Sequence, residues 1–487
     1  MIGTTVSALR AFVMFLFRIG ADVFGRKYDS PTALAIAAVI VFFWRPLSIY
    51  DGGFWLSFGA VLAIIIVLPI VNNLPFQGIW VSLSVNIMVT PILMYIFYEF
   101  PLYGILLNLV VVPMIPILII MGFFGSLFAV FWRDAGAAVL FCCRVILRIF
   151  ESGSKAVLEF PCARIITGQP ELWKIIGYYI LLFGIVITVR VFKNIDRRKK
   201  ALLVVLMAGT AFCVLFFKGK AKEELTVTAL DVGQGDGIVV RGPKGNAYLI
   251  DGGSSDVGKV GEYRMEPYLL SQGIGSLDYV FVTHGDQDHI NGITEMIGRQ
   301  KIGVEIKNLV FPVQSVWDDA LWELAEAGEK AGIPVLIMQA GDCLEEGKMT
   351  LTCIQPDKEE ISEAGNCASL VLALRYGEVD MLFTGDVEGE GEECLITHLQ
   401  EEEPDRKWEI LKAAHHGSKH STTEEFLKAA PPKYAFISAG RNNTYGHPHK
   451  DTLNRLEDVG TIVYSTQEEG ALTVSVSEEG FWISGFK

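Results

Sequence analysis

His284, Asp286, Asp288 and His289 crowd into one segment, FVTHGDQDHINGI, residues 281–293. Imidazole suits zinc, and carboxylate suits both zinc and harder ions such as manganese. Two further segments end in ligand-type residues after an apolar run. Asp386 closes MLFTGD, and His415 and His416 close LKAAHH before Gly417. A lone His-x-Asp is more often a capped turn, FTGD a turn and HHGS a surface loop. The three together, in this order and each after a strand-like run, point to one shared metal site. Two ions held roughly 3.5–4 Å apart form a hydrolytic centre, in which a bridging water loses a proton easily and the oxyanion of the transition state is stabilised.

These residues can converge if the runs before them are strands, since groups at strand ends share an edge of a sheet. From Glu223 onward the pattern is short apolar strands and turns. LTVTALDVGQGDGIVVRGPKGNAYLIDGG (225–253) reads as strand, glycine loop, strand, a hairpin turn at Pro243–Asn246, and strand. HINGITEMIGRQ starts a helix, and DDALWELAEAGEKAG (318–332) is amphipathic at helical spacing. CASLVLALRYGEVDMLFTGDV reads as two strands joined near Gly377, and the residues from Gly460 onward read as a closing β-meander. The sequence predicts a mixed α/β domain.

Other polar residues stand near these ends. Asp236 and Asp251 each end or follow a strand beside glycine. They are expected as outer carboxylates that orient metal-bound histidines, against the plainer reading of Asp-Gly turns. Asn366 and Ser369 line the pocket or cap a strand. Lys412 has no assigned role, and Arg441, Lys412 and Lys419 form at most a thin basic strip. His447 and His449 in YGHPH lie in a loop, while His398 and His420 read as surface residues.

The first half is built differently. Residues 1–218 carry 18 Lys+Arg against 9 Asp+Glu, a net +9; residues 219–487 carry 23 against 46, a net −23; together these give the chain's −14. All eight histidines lie at or after position 284. Apolar runs at 32–44, 54–71, 79–98, 104–131, 172–192 and 201–217 predict six to eight membrane spans, with 104–131 divisible near Pro113 and Pro116. In this half, Glu99, Arg144 and Arg148 are candidates to face a polar pathway, or to sit at helix ends in the interface. KNIDRRKK (193–200) has five basic residues and one acid, which makes this loop cytoplasmic and puts the acidic half outside the membrane. Met1–Leu9 lacks the basic start and small-residue cleavage site of a signal peptide. The eight cysteines show no metal-type spacing and read as small hydrophobes.

With these segments in view, the acidic half resembles a metallo-β-lactamase-fold hydrolase, whose main signature is His-x-His-x-Asp-His. Asp286 stands where that signature has its second histidine, a departure shared with the ComEC group of DNA-uptake proteins. LDVGQGDGIVV (230–240), LIDGG (249–253), NCASLVL (366–372), LKAAHHGS (411–418) and NNTYGHPH (442–449) also resemble ComEC motifs. RAFVMF (10–15) and DGGFWLSFGAVLAI (51–64) resemble the competence domain of the same group. The fold implied is a polytopic α-helical membrane domain, 1–218, followed by an αββα metallo-β-lactamase-like sandwich, 219–487. Such proteins generally carry further helices and a small OB-like domain ahead of the region matching Thr4–Phe15, so the membrane domain is expected to be incomplete at its N-terminus.

The resemblance implies a plasma-membrane, multi-pass protein of natural transformation. Its membrane half would pass single-stranded DNA, and its extracytoplasmic half would hydrolyse phosphodiester bonds of the strand left outside. Expected partners are DNA, the lipid bilayer and other proteins of the competence machinery. The cofactor expected is two divalent ions, zinc or manganese. By position and chemistry His284 and Asp286 would hold one ion, Asp288 and His289 the other, and Asp386 would bridge them. One of His415 and His416 would be a ligand, with His416 favoured, and the other would protonate the leaving group. His415, Asp288 and His447 are the candidate catalytic residues. The alternative is a membrane-tethered phosphoesterase acting on nucleotide, lipid or cell-wall phosphoesters without DNA transport. A non-catalytic transport remnant is disfavoured by the retention of all the ligand elements.

Overall fold

The apolar runs of the first half fold as helices, because a backbone in hydrocarbon must satisfy its own hydrogen bonds. In the computed structural model, residues 5–71, 77–191, 197–216, 224–357, 364–401, 406–441, 443–478 and 480–486 are described. The chain divides into two units, Met1–Lys218 and Gly219–Lys487.

Among the described residues of the first unit, four helices are long and apolar enough to cross a membrane: Gly52–Ile70, Gly78–Phe97, Gly104–Phe131 and Leu172–Val191. This is fewer than the six to eight expected. Ser30–Trp44 has 15 residues, which at about 1.5 Å per residue falls short of a hydrocarbon core of about 30 Å. The run at 201–217 lies mostly in the helix Arg197–Phe216, where several side chains are outside the described residues, as is part of the basic loop 193–200. The run at 104–131 is not divided. It is one helix of 28 residues with Pro113 and Pro116 inside, since the freed carbonyls beside a proline do not release the remaining ladder where water cannot compete. Arg144 and Arg148 are exposed on the amphipathic helix Arg133–Leu158. Glu99 is paired with Arg164 at 2.6 Å, in a short antiparallel ladder of Glu99–Pro101 with Arg164–Ile166.

Pro91 interrupts the helix Gln77–Phe97 and leaves the Ile87 carbonyl without its usual donor. The hydroxyl of Tyr178, on Leu172–Val191, donates to that carbonyl at 2.6 Å, and Tyr179 donates to Met88 O at 2.8 Å.

The second unit is two mixed sheets packed face to face. The first has eight strands, in the order Val335–Ile337, Leu309–Phe311, Tyr279–Phe281, Ala247–Ile250, Ile238–Arg241, Leu225–Ala229, Ala471–Ser477, Gly480–Phe486. The second has seven: Cys343–Glu346, Met349–Gln355, Val371–Tyr376, Val379–Phe383, Trp408–Lys412, Pro432–Ile437, Ile462–Ser465. Alternation at period two sorts the strand side chains. Leu225, Val227, Val240 and Ile250 meet Leu351, Leu372, Leu374 and Met381 between the sheets. Their neighbours face outward beneath helices. Val239, Leu249 and Val280 pack under Gln287–Ile297 and Asp319–Lys330. Ala373, Leu382 and Leu411 pack under Glu390–Glu401 and Glu424–Ala429. The result is four layers, αββα.

The expected closing meander is not formed. Ile462–Ser465 pairs parallel with Pro432–Ile437 in the second sheet, and a short helix, Thr466–Glu469, hands the chain across to the first. Consecutive short strands read alike in sequence whether they pair with each other or lie in different sheets, so a strand pattern alone does not show the switch.

Candidate metal centre

Three loops at strand ends converge, one from the first sheet and two from the second. Tyr279–Phe281 leads into His284–His289, Val379–Phe383 into Asp386, and Trp408–Lys412 into His415 and His416. Two glycines are required by close approach. Gly385, at φ +53°, would set a Cβ 3.0 Å from Ser369 Cβ and 3.1 Å from Thr283 Cβ. Gly235, at φ +149°, lies where a Cβ would come within 2.5 Å of Asp288 O, so the LDVGQGD loop packs directly on the ligand segment.

The histidines are fixed from behind. Nδ1 of His289 is 2.9 Å from Asp251 Oδ2, and Nδ1 of His416 is 3.0 Å from the Ser438 carbonyl. Nδ1 of His284 is 2.9 Å from Thr283 Oγ1, and Thr283 itself donates from N and Oγ1 to Asp251, each at 2.8 Å. A ring held through Nδ1–H presents the Nε2 lone pair. In all three histidines Nε2 is buried with no hydrogen-bond partner. Oδ2 of Asp386 lies 3.2 Å from Nε2 of His289 and 3.4 Å from Nε2 of His416, and Oδ2 of Asp288 lies 3.4 Å from Nε2 of His416. Three orphaned imidazole nitrogens facing carboxylates suit divalent metal far better than they suit a folded protein alone, because a buried unpaired polar atom is costly. His284 Nε2 stands 3.6 Å from Asp286 Oδ2.

Asp236, His289, Asp386 and His416 also offer ligand atoms within 4.8 Å of one another. Asp236, however, approaches the Nδ1 atoms, at 3.9 Å from His289 and 3.8 Å from His416, which are already engaged. Its carboxylate instead pairs with the Lys412 ammonium, which also lies 3.2 Å from Asp386 Oδ1 and donates to Gly385 O at 2.7 Å. Lys412 is thus buried inside the site and cannot belong to a basic surface strip.

The carboxylates are held ionised. Burial would raise Asp386, but His289, His416 and Lys412 outweigh it and keep its pKa well below the ordinary value. Burial likewise opposes Asp288, yet the histidines beside it hold it at about 2. His289 moves the other way, well above 6.5, because Asp386 and Asp251 overcome burial.

His415 is one-quarter exposed, unlike the three buried histidines. Its Nδ1 lies 2.9 Å from Glu388 Oε2, and Asn366 Nδ2 donates to the other oxygen of Glu388 at 3.2 Å. Burial pushes the His415 pKa down, but Glu388 and Asp386 raise it overall. The His447 ring is 5.5 Å from that of His415, and burial with the two neighbouring imidazoles lowers its pKa to about 4. Ser369 Oγ accepts from Asp386 N at 3.2 Å. His449 stands apart, accepting from Asp451 N as the cap of the helix Lys450–Asp458, and His420 is exposed.

The residues named from sequence as metal ligands, catalytic groups and outer carboxylates therefore gather at one place, and His449 stands outside it. Glu388, Thr283 and Ser438 were not anticipated. Glu388 follows Asp386 by two, inside the acidic run VEGEGEE, and nothing in that run marks it from its neighbours.

Sequence comparison agrees with this organisation. Residues 1–192 match the Competence protein family, and residues 230–441 match the metallo-beta-lactamase superfamily. The chain is 28% identical to ComE operon protein 3 of Bacillus subtilis over 494 residues, covering 96% of this chain and 61% of that protein. It is 26% identical to Recombination protein 2 of Haemophilus influenzae over 520 residues, covering 98% and 62%. The chain thus spans about three fifths of the length of these relatives. A metallo-beta-lactamase from Cronobacter sakazakii, a HARLDQ motif mutant, aligns at 12% identity with a TM-score of 0.25, over 38% of this chain and 75% of that one. The chain thus matches a Competence family model in its first half and a metallo-β-lactamase superfamily model in its second, and along most of its length it is similar to the ComEC-type competence proteins.

Proposed function

We propose that this protein takes up DNA in natural transformation. The membrane domain passes a single strand, and the extracytoplasmic domain cuts phosphodiester bonds of the strand that is not transported. The observation that carries this reading is the pairing, in one chain, of a region matching the Competence family with a domain in which three buried imidazole Nε2 atoms face carboxylates and have no hydrogen-bond partner. The five basic residues of 193–200 support a cytoplasmic loop there and an outward-facing hydrolase domain.

His284 and Asp286 would hold one divalent ion and Asp288, His289 and His416 another, zinc or manganese, with Asp386 shared between them. Bound there, the metal supplies Lewis acidity and a water that deprotonates near neutral pH. Asp251 and Ser438 O keep the His289 and His416 rings aimed inward. Asp288, ionised, accepts the proton of the attacking water as its oxygen forms the new bond to phosphorus. His415, turned by Glu388 and protonated, gives a proton to the departing sugar oxygen as the old P–O bond breaks. His447, neutral near pH 7, hydrogen-bonds a phosphate oxygen or the leaving group.

One observation favours the alternative of a membrane-tethered phosphoesterase for small phosphoesters. Residues 219–487 carry a net −23, from 23 Lys+Arg against 46 Asp+Glu, and the buried Lys412 offers no help to a polyanion at long range. The deciding experiment incubates the full chain in detergent, loaded with manganese or zinc, with linear single- and double-stranded DNA beside an Asp288→Ala variant. Metal-dependent cleavage that vanishes in the variant supports the DNA reading. Turnover of a small phosphodiester with DNA left intact supports the alternative.

A further inference from the structure

We propose that Tyr445 is a base platform: its ring stacks on an unpaired DNA base next to the scissile phosphate, so the centre takes a single strand in preference to a bare phosphodiester. This inference rests on the phosphodiesterase reading above and names the substrate feature that the same site recognises. Tyr445 belongs to the loop that delivers His447. The His447 ring lies 5.5 Å from that of His415 and 6.4 Å from that of His416, so it adjoins the centre. The Tyr445 ring stacks on His447, with centroids 5.9 Å apart and planes at 27°. Tyr445 is nevertheless 61% exposed. Among the described residues its hydroxyl has no hydrogen-bond partner, whereas a tyrosine kept for packing buries its ring and pairs its hydroxyl.

The loop holds this ring in place. Asn443 Nδ2 donates to the carbonyls of Gly440 and His447, each at 2.7 Å, and Asn443 Oδ1 accepts from His447 N at 3.0 Å. Gln467 Nε2 donates to the same two carbonyls, at 2.6 and 2.9 Å. His449 N donates to Gly417 O at 2.8 Å, which ties the loop to the segment carrying His415 and His416. An aromatic face fixed before substrate arrives loses little freedom on binding. Long-range charge does not draw DNA to this half, where 23 Lys+Arg stand against 46 Asp+Glu, a net −23. Affinity must then come from short-range contact. A tyrosine ring supplies it without regard to sequence, because every base has a π-face. Within a duplex those faces are covered by neighbouring pairs, so the contact selects a base that is unstacked.

The test follows cleavage by the full chain in detergent, loaded with manganese. The substrates are a single-stranded oligothymidylate and an oligomer of equal length with an abasic tetrahydrofuran unit at every position. Backbone and charge are the same in both, so any difference is due to the base. The wild-type chain should cleave the oligothymidylate about tenfold more efficiently, the scale of one base–aromatic stack. The difference should lie in KM, because stacking holds ground state and transition state alike. Tyr445→Ala should erase the preference by raising KM for the oligothymidylate, and Tyr445→Trp, which keeps a stacking face, should retain it. A wild-type chain indifferent to the base, a preference that survives Tyr445→Ala, or a Tyr445→Ala loss equal on both oligomers would each overturn the inference while leaving phosphodiester hydrolysis in place. Cleavage of neither oligomer would overturn it together with the DNA reading beneath it.

Discussion

Oδ2 of Asp251 lies 2.9 Å from Nδ1 of His289, and the same residue sits in the left-handed region at φ +55°. The strain is small for aspartate, which tolerates that region better than most residues. It turns the carboxylate to receive both Thr283 donors and the imidazole together.

Asp251→Ala should weaken manganese binding about 10–100-fold, the usual effect of removing a partner that orients a ligand histidine. Asp251→Asn, which tolerates the same backbone and keeps one acceptor, should lose less. Isothermal titration of both variants checks this. Equal affinity for Asp251→Ala and wild type would show that His289 does not need the contact.

Metal uptake should strengthen as pH rises. His289 is held well above 6.5 in the metal-free protein, because Asp386 and Asp251 overcome the effect of burial. Its charged interactions therefore contribute stability fully below 6.5, and that contribution is lost as pH rises through the elevated folded value. Metal requires the neutral ring, so binding must displace a proton. Apparent manganese affinity should climb as pH rises above 6.5 through the elevated value of His289, while the metal-free Tm falls over that same rise. Calorimetry in buffers of different ionisation enthalpy measures the released proton directly.

Much of this centre was legible because strand ends announce themselves. FVTHGDQDH, MLFTGD and LKAAHH each pass from an apolar run to ligand residues, and the register of one sheet brings Phe383 beside Lys412. What was hidden is what depends on pairing across the sandwich. Lys412 reads as one more strand lysine until Asp236, from the other sheet, is seen against it. Glu388 reads as one acid among several until the loop turns it onto His415. The last strands misled for a related reason: Ile462–Ser465 and Ala471–Ser477 both read as short strands but belong to different sheets. In the membrane half, all-round apolarity marked the helices well, but their number depends on length rather than on hydropathy alone.

Glu388→Ala should lower phosphodiester turnover about 100-fold, the scale of a misplaced general acid, and leave manganese content unchanged. Glu388 touches His415 and Asn366 and contacts none of the orphaned Nε2 atoms. Glu388→Gln, still able to accept from Nδ1–H, should recover part of kcat. A parallel loss of metal in Glu388→Ala would instead assign the residue to the metal centre.

The proline in the helix Gln77–Phe97 gives a test confined to the membrane unit. Pro91 cannot donate to the Ile87 carbonyl, and the Tyr178 hydroxyl does so at 2.6 Å from another helix. Tyr178→Phe leaves that carbonyl buried without a partner and should destabilise the unit by about 1 kcal/mol, the scale of such bonds between membrane helices. Pro91→Ala restores an N–H four residues on, so the carbonyl recovers a helical partner. In that background, Tyr178→Phe should cost markedly less. Thermal unfolding of the four proteins in one detergent closes the cycle. A Tyr178→Phe penalty that is the same in the wild-type and Pro91→Ala backgrounds would show that the hydroxyl matters for packing alone and that the proline carbonyl is not what it serves.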